Sequence, residues 1–320
     1  MNNMKKILTL AAMVAVALTS CSNDEIQQVE NDGVIRLGAG MVSTKAPVNS
    51  LTDLSGVGDK VGIYAVSTPW TAVPLMQNVQ TTAIDGTDGS ISWASVYNYP
   101  ADGSSLTFYG YYPYAAEGTS GDNYMVAPDG TNAPVLNFTI DGTQDIMYAT
   151  PVIANKTTTP VGKLVFEHAL TQLHFLAKKG TVADGTTIKS IVLKNTNSRC
   201  TLNMADGTLG TWSRPATLVS LADAGVAIPA AEEEITGAEP LMIQPGLSQV
   251  LADVVTAKNG TEETYEDIII KPEGTNETFK AGVSYAIALT FNTKSDRVPI
   301  AIAAGVTPWV ESGKGSGTVE

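Results

Sequence analysis

The sequence predicts an all-β protein with antiparallel sheets, and two observations carry this prediction. Short stretches in which apolar and polar residues alternate recur along the chain, and this period of two places the apolar side chains on one face of an extended strand. Asp-Gly dipeptides lie mostly between runs rich in Val, Ile, Thr, Tyr and Phe, where the tolerance of glycine for positive φ favours tight hairpin turns. Seven of the eight Asp-Gly dipeptides in the chain begin at Asp85, Asp88, Asp102, Asp129, Asp141, Asp184 and Asp206, and the eighth is at Asp32.

The N-terminus has the layout of a secretory signal peptide over residues 1–20. Lys5 and Lys6 precede an apolar run, residues 7–18, that is too short to span a bilayer comfortably. The run closes on Leu-Thr-Ser-Cys, which resembles a bacterial lipobox, so Cys21 is predicted to carry a lipid and to become the mature N-terminus. An ordinary signal peptide followed by a chance cysteine is the alternative.

Residues 21–33 are predicted to form a lipidated, acidic leader. The stretch Ser-Asn-Asp-Glu at 22–25 resembles the tag that directs lipoproteins to the outer face of an outer membrane, and a solvated tether is the alternative. Because Cys200 is the only cysteine besides Cys21, no intramolecular disulfide is expected if Cys21 is lipidated.

The charge balance argues against nucleic acid and anionic membrane surfaces as partners. The whole chain holds 19 basic and 32 acidic residues, a net charge of −13, and loss of Lys5 and Lys6 with the signal peptide lowers it to −15. Such a field repels phosphate backbones and anionic lipid headgroups.

The first predicted strand, residues 34–43, has two interpretations. Ile35, Leu37, Ala39 and Met41 share one face of an extended chain, and the stretch ends before Lys45, Ala46 and a proline that interrupts pairing. In the first interpretation it is a permanent strand of a sandwich. In the second, residues 34–45 are removed by a protease that cuts between Lys45 and Ala46, and a strand from another copy takes their place.

The remaining chain is predicted to alternate between strands and loops. Residues 161–179 fit either a strand with a kink or bulge near Thr171 or a helix, because the leucines also suit a 3.6-residue period. A loop or an edge strand is predicted at 68–75 and a loop at 222–234, and the proline-bounded stretch 151–160 is expected to approach a domain boundary. Strands are predicted at 61–66, 90–99, 105–114, 135–140, 188–195, 200–204, 241–244, 250–256, 265–271, 283–291 and 298–303.

Two groups of side chains are candidates for chemistry. The stripe of tyrosines at 109–114 combines flat apolar rings with hydroxyls, which suits carbohydrate, although such a stripe is more often core and sheet surface. His168 and His174 are the only histidines, and no Cys or acidic cluster lies at ligand spacing, so His168 is predicted to be a buried structural residue. The Asp-Gly motifs lack the Asp-x-Asp-x-Asp-Gly pattern of a calcium loop.

An ordered set of motifs resembles the fimbrillin lipoproteins of Bacteroidales, from about residue 33 to residue 313. Each motif is degenerate alone, and the combination with the lipobox is what is specific. The motifs are Trp93 with residues 97–100, Phe-Tyr-Gly-Tyr-Tyr-Pro at 108–113, Asp-Ile-Met-Tyr-Ala at 145–149, Phe-Glu-His-Ala-Leu at 166–170, Leu-Met-Ile-Gln-Pro at 241–245 and Val-Thr-Pro-Trp at 306–309.

The resemblance implies two transthyretin-like antiparallel β-sandwich domains with Greek-key connections, residues 34–160 and 161–320. It also implies a lipoprotein precursor that a trypsin-like surface protease cuts after a basic residue, which here falls at Lys45. Loss of the first strand would open a groove that a neighbouring subunit's strand fills. Lysine replaces the arginine usual at this site, and the segment after Val306 is the expected donor.

The predicted function is therefore that of a structural pilin without enzymatic activity or cofactor. No Gly-x-Ser-x-Gly, zinc signature or phosphate loop stands in a suitable context. The expected partners are other fimbrial subunits, as a homopolymer or with accessory pilins, and the outer membrane through the lipid before maturation. The alternative is a non-polymerising surface lipoprotein that binds glycan or a host ligand through exposed Trp93, Tyr109, Tyr111 and Tyr112.

Overall fold

The computed structural model describes residues 32–41, 51–54, 60–67, 75–158, 161–272, 277–293 and 302–308. Within these residues the protein is all-β, and the only helix is a single turn, α1 (Leu51–Leu54). The strands are β1 (Arg36–Met41), β2 (Gly62–Val66), β3 (Met76–Ile84), β4 (Ile91–Trp93), β5 (Leu106–Tyr112), β6 (Tyr124–Val126), β7 (Val135–Thr139), β8 (Met147–Ala149), β9 (Val152–Ala154), β10 (Val161–His168), β11 (Thr171–Lys179), β12 (Thr187–Asn203), β13 (Ser213–Leu221), β14 (Val226–Ala227), β15 (Glu233–Glu234), β16 (Leu241–Ile243), β17 (Val250–Lys258), β18 (Thr261–Ile270), β19 (Val283–Phe291) and β20 (Ile302–Pro308).

The strands form three sheets. The first has the order β1-β10-β8-β5-β2-β3-β4, with β9 paired to β5. The second has the order β15-β11-β19-β20, with β16 paired to β11, and the third has the order β18-β17-β12-β7-β6, with β13 and β14 paired to β12. Most neighbours are antiparallel, as predicted, but β1 with β10 and β11 with β19 run parallel. Parallel partners need a long connection, and more than 100 residues separate each of these two pairs in the chain.

The segment 161–179 is two strands in different sheets. β10 belongs to the first sheet and β11 to the second, and they are separated at residues 169–170, close to the kink predicted near Thr171. The helix interpretation is wrong, because every residue from 161 to 168 and from 171 to 179 is in a strand.

Strands from both sides of the predicted domain boundary near residue 160 pair with each other. β10 follows that point yet pairs with β1 and β8, while β7 precedes it yet pairs with β12. A core cluster also joins the two halves, since it contains both Tyr111 of β5 and Leu202 of β12. The division into domains at 34–160 and 161–320 stays a prediction.

Several strands were not predicted. β3 carries polar residues on its exposed face and β13 begins with exposed residues, so neither has the continuous apolar signal of a buried strand. The predicted strands 188–195 and 200–204 are one 17-residue strand, β12, and Asn195, with φ +57°, lies where the register with β13 shifts. The predicted strand 90–99 is a strand only over β4.

The buried side chains of the three sheets form core clusters. The second and third sheets pack on each other through residues such as Phe175, Ile191 and Ile287. The first sheet holds its own core on one face, around Phe108 and Phe166, and presents its other face to the cluster that contains Tyr111. Every residue of β5 is consequently buried, which is expected for a strand covered on both sides.

Candidate functional site

The predicted removable strand is an integral part of the first sheet. β1 is the terminal strand in the order of the sheet, and it pairs parallel to β10 from Arg36 opposite Val161 to Met41 opposite Phe166. Ile35, Leu37 and Ala39 are 2%, 2% and 1% exposed, and Met41 is half-buried against the same core. The alternation seen in the sequence therefore corresponds to a strand with one face in the core.

A second backbone segment pairs with the opposite edge of β1. The Ile35 N–H donates to the Tyr97 carbonyl at 2.8 Å, and the Ala39 N–H donates to the Gly89 carbonyl at 2.7 Å. At the start of the strand, the Tyr99 N–H donates to the Gly33 carbonyl at 2.8 Å. β1 thus lies in a slot between β10 and the segment 89–99, and both sides of the slot offer backbone hydrogen-bonding groups.

Two glycines give β1 the room it occupies. Gly89 has φ +77°, and a Cβ there would lie 2.3 Å from the Ala39 carbonyl oxygen. A Cβ on Gly162 of β10 would lie 3.1 Å from a Leu37 methyl group, so this glycine leaves space for the leucine side chain. Glycine is the residue that tolerates both the left-handed backbone and the close approach. The Asp-Gly motif at 88–89 was recognised in the sequence as a turn, but its contact with β1 was not.

The outer face of β1 is flat and carries one ion pair. Arg36 donates to both carboxylate oxygens of Asp32, at 2.9 and 2.7 Å, and these hydrogen bonds lower the pKa of Asp32 to about 2. Gly38 and Gly40 lie beneath Lys163: a Cβ on Gly38 would be 4.0 Å from Lys163 Cγ, and one on Gly40 would be 2.9 Å from Lys163 Cε. Small residues on this face therefore let the Lys163 side chain lie across the strand.

The other predicted processing residues lie outside the described part of the chain. These are the lipidation site Cys21 and the scissile pair Lys45 and Ala46. Among the residues that the structure describes, no helix is long and apolar enough to cross a bilayer.

The hypothesis that exposed tyrosines bind a ligand is wrong for the rings it names. Tyr109, Tyr111 and Tyr112 are buried, and Trp93 is half-buried against the core of the first sheet. The Tyr111 hydroxyl lies in a buried network, 2.6 Å from Asn78 Oδ1 and 2.9 Å from the Ala115 carbonyl, either of which can take its one proton, and it accepts the Ala115 N–H at 3.2 Å. Burial raises the pKa of Tyr111. The three tyrosine rings serve the core and not a binding platform, because a ligand cannot reach their faces.

His168 is buried, as predicted, and the structure adds a partner that the sequence did not reveal. His168 Nδ1 lies 2.7 Å from Asp145 Oδ2, and both side chains are almost fully enclosed. The motifs at 145–149 and 166–170 meet here, because β8 pairs antiparallel with β10. Burial raises the pKa of Asp145, while the hydrogen bond and charge of His168 oppose that rise. The pair links the end of β10 to the segment that leads into β8.

Most of the Asp-Gly carboxylates accept hydrogen bonds from their own turns, whereas Asp184 is bonded to the Lys179 side chain. Asp129 Oδ1 accepts the N–H groups of Thr131 and Asn132 at 2.9 and 2.8 Å, and these bonds lower the pKa of Asp129 to about 2. The turn predicted here is present, and it lies in the connection between the antiparallel strands β6 and β7, but this connection, residues 127–134, is longer than a tight hairpin turn. Within the ranges described, no cluster of three His, Cys, Asp or Glu residues could hold a metal ion.

The fold and the enclosed edge strand define a structural β-protein whose first strand lies in a slot. Comparison with protein families identifies it further: a fimbrillin-like family model matches residues 44–309, and the chain belongs to that family. The recognition made from the sequence motifs is thereby confirmed. No curated protein matches the chain.

Solved structures from Bacteroides share the fold. A fimbrial protein from Bacteroides vulgatus is 14% identical with a TM-score of 0.57, and the match covers 87% of this chain and 99% of that one. A candidate cell adhesion protein from Bacteroides uniformis is 20% identical with a TM-score of 0.56, over 87% and 100% of the two chains. A candidate cell adhesion protein from Bacteroides ovatus is 17% identical with a TM-score of 0.56, over 88% and 99%. Membership of the fimbrillin-like family makes this a pilin-like, non-enzymatic protein of the cell surface that assembles with other fimbrial subunits.

Proposed function

We propose that the chain is a fimbrial subunit precursor that assembles by proteolysis-triggered donor-strand exchange. In this proposal Cys21 carries the lipid that anchors the precursor to the outer membrane at the cell surface. A trypsin-like surface protease then cuts between Lys45 and Ala46, β1 leaves, and a strand of a sister subunit enters the slot.

The observation that carries the proposal is the slot itself. β1 is held between β10 and the segment 89–99, and its removal would expose two unpaired backbone edges and an apolar floor. Burying a side chain such as Ile35 or Leu37 contributes about 1.5–3 kcal/mol each. A slot of this kind favours occupation by another strand, because both the backbone groups and the apolar floor are costly to leave exposed to water.

The position of the basic residues supports a cut at Lys45 and not at Arg36. Arg36 lies within β1, its backbone is paired with β10, and its side chain is bonded to Asp32. A protease needs an extended, unpaired backbone, and the paired strand does not offer one. The family match begins at residue 44, beyond the end of β1.

The test is N-terminal sequencing of the protein recovered from the surface of cells that express it. A shaft subunit should begin at Ala46, and Lys45→Gln should leave the precursor uncut and abolish fimbriae, while Arg36→Gln should change neither. Recovery of an intact acylated Cys21 from assembled fimbriae would overturn the proposed cleavage and would instead indicate an anchor subunit.

A further inference from the structure

A cleft of about 330 Å³ lies where the first sheet meets the turn after β12 and the residues before β19. Its walls contain Tyr148 of β8 and Glu167 of β10, which lie directly opposite each other in the antiparallel pairing. Opposite residues of such a pair share one face of the sheet. Their chain neighbours Met147 and Phe166 point into the core of the first sheet, so Tyr148 and Glu167 point away from that core and into the cleft.

A glycine turn brings a second carboxylate to the Tyr148 ring. Gly207, in the turn after β12, has φ +72°, and a Cβ there would overlap the ring, 2.6 Å from the hydroxyl oxygen. Glycine is therefore what lets the ring lie against the backbone of the turn, next to Asp206. Burial raises the pKa of Tyr148, and the charges of Glu167 and Asp206 raise it further, as expected for a phenol close to two carboxylates.

Each of these two carboxylates uses only one oxygen within the protein. Glu167 Oε1 accepts the Thr150 hydroxyl at 3.0 Å, and Asp206 Oδ1 accepts the Thr208 N–H at 2.9 Å. Within the part of the chain that the structure describes, their other oxygens and the Tyr148 hydroxyl form no hydrogen bond, and neither carboxylate forms an ion pair. Two negative charges therefore lie near one ring without a basic partner among the described residues, and their repulsion favours a cation between them.

The arrangement suits a guanidinium group better than other ligands. A guanidinium carries one positive charge and five N–H donors in a plane, so it can bond carboxylates while it lies against an aromatic ring. A neutral sugar would leave both carboxylate charges without a counter-ion. A metal ion would have too few ligands, because no group of three His, Cys, Asp or Glu residues in the described ranges could hold one. The alkyl chain that carries a guanidinium would contact the apolar lining, Ala169, Leu209 and Ala281.

We propose that this cleft binds a guanidinium group, with Glu167 and Asp206 as its hydrogen-bond acceptors and Tyr148 as the ring beside it. An arginine of a partner protein and a small free amine such as agmatine carry the same group, and the experiment distinguishes these two sources. The cleft lies outside the slot that holds β1, so the inference goes beyond the proposed function. Its occupation does not depend on cleavage or on strand exchange.

The test is an NMR titration of the uncut protein with the peptide acetyl-Gly-Arg-Gly-amide. The same peptide with citrulline in place of arginine is the control, since citrulline has nearly the same shape without the charge. The arginine peptide should bind saturably, shift the signals of residues 148, 167 and 207, and bind about ten-fold more tightly than the citrulline peptide. Raising the salt from about 50 mM to about 500 mM should weaken its binding, because salt screens the carboxylates. Equal binding of the two peptides, or no saturable binding of the arginine peptide, would overturn the proposal.

Conservative variants locate the site. Glu167→Gln and Asp206→Asn should each weaken binding of the arginine peptide about ten-fold, because each removes one charge. Both should leave the urea midpoint nearly unchanged, since the new amide oxygens can still accept the same internal hydrogen bonds. Asp102→Asn is the matched control, because Asp102 opens another Asp-Gly turn and accepts the Ser104 N–H at 2.9 Å. Equal weakening by Asp102→Asn and Asp206→Asn would reveal only an effect of net charge and would overturn the site.

Agmatine separates the two sources of the group. Tighter binding of the peptide than of agmatine would support the site and assign it to an arginine of a partner protein, whereas equal or tighter binding of agmatine would support the site and assign it to a small free amine. Galactose that shifts the same signals while the arginine peptide does not would overturn the proposal. Because the titration uses uncut protein, its failure is distinct from a failure of cleavage at Lys45, which N-terminal sequencing reports.

Discussion

Replacing Gly89 with alanine should loosen β1 specifically, because Gly89 contacts the strand through backbone atoms. The added methyl group would lie 2.3 Å from the Ala39 carbonyl oxygen, and neither group is at the end of a flexible side chain. The strand or the turn must shift, and the hydrogen bond from the Ala39 N–H to the Gly89 carbonyl is then strained or lost. Gly103 is a matched control, since it has φ +78° and nothing within 4 Å of a built Cβ.

The expected difference in the free energy of unfolding follows from the cost that the two variants share and the costs that only Gly89→Ala adds. Both place alanine at a left-handed φ, which costs about 1–2 kcal/mol. Gly89→Ala adds the loss of a backbone hydrogen bond, about 1 kcal/mol, and the partial loss of packing by Leu37 and Ala39. The free energy of unfolding should therefore fall by about 2 kcal/mol more in Gly89→Ala than in Gly103→Ala.

The assay is urea unfolding of the uncut protein together with limited trypsin digestion. The midpoint should shift with an unchanged m-value. When both variants also carry Lys45→Gln, which removes the proposed cleavage site, trypsin should cut after Arg36 faster in Gly89→Ala than in Gly103→Ala. Equal unfolding free energies and equal cutting rates in the two variants would show that β1 does not depend on the contact with Gly89, and the account of the slot would be wrong.

Three further predictions follow from the same description. Leu37→Ala should reduce the free energy of unfolding by about 2–5 kcal/mol, because it removes a buried side chain. Leu75→Ala is the control and should reduce the free energy of unfolding much less, since Leu75 is 42% exposed. Similar urea midpoints for the two variants would contradict the burial of β1. The pKa of Asp32 is about 2, below its unfolded value, so its bond to Arg36 stabilises the protein fully above pH 4 and is lost as the pH falls through 2. An NMR titration of Asp32 should show a midpoint at about pH 2, and Arg36→Met should raise that midpoint toward 3.8. Cys200 is buried, and burial raises the pKa of its thiol. In protein without residues 1–21, iodoacetamide at pH 8 should therefore label Cys200 far more slowly in the folded state than in the urea-unfolded state. Equal labelling rates in the two states would refute the enclosure of Cys200.

The sequence predicted the local features of β1 well, because alternation is a property of the extended chain itself. Ile35, Leu37 and Ala39 could be placed on one face without knowledge of any partner, and the structure buries all three. The burial of His168 was also predictable, since no ligand set lies near it in the sequence. The Asp-Gly turns follow from the conformational freedom of glycine and from aspartate's bonds to its own turn.

The partner of each strand could not be predicted in the same way. Nothing local to β1 indicates that it pairs with β10, 125 residues later and in parallel, because pairing depends on which edges the whole chain brings together. The Asp145 carboxylate meets His168 for the same reason, through the pairing of β8 with β10.

The sequence alone determined that the chain is made of strands and which residues of the first strand share an apolar face. It also determined which family the motifs resemble. Only the tertiary structure decided that the aromatic residues of β5 are enclosed on both faces and that β1 lies between two backbone edges. Periodicity reports which side of a strand is apolar, whereas enclosure depends on contacts between residues far apart in the chain. The slot arises from such contacts, between β1, Gly89 and Gly162.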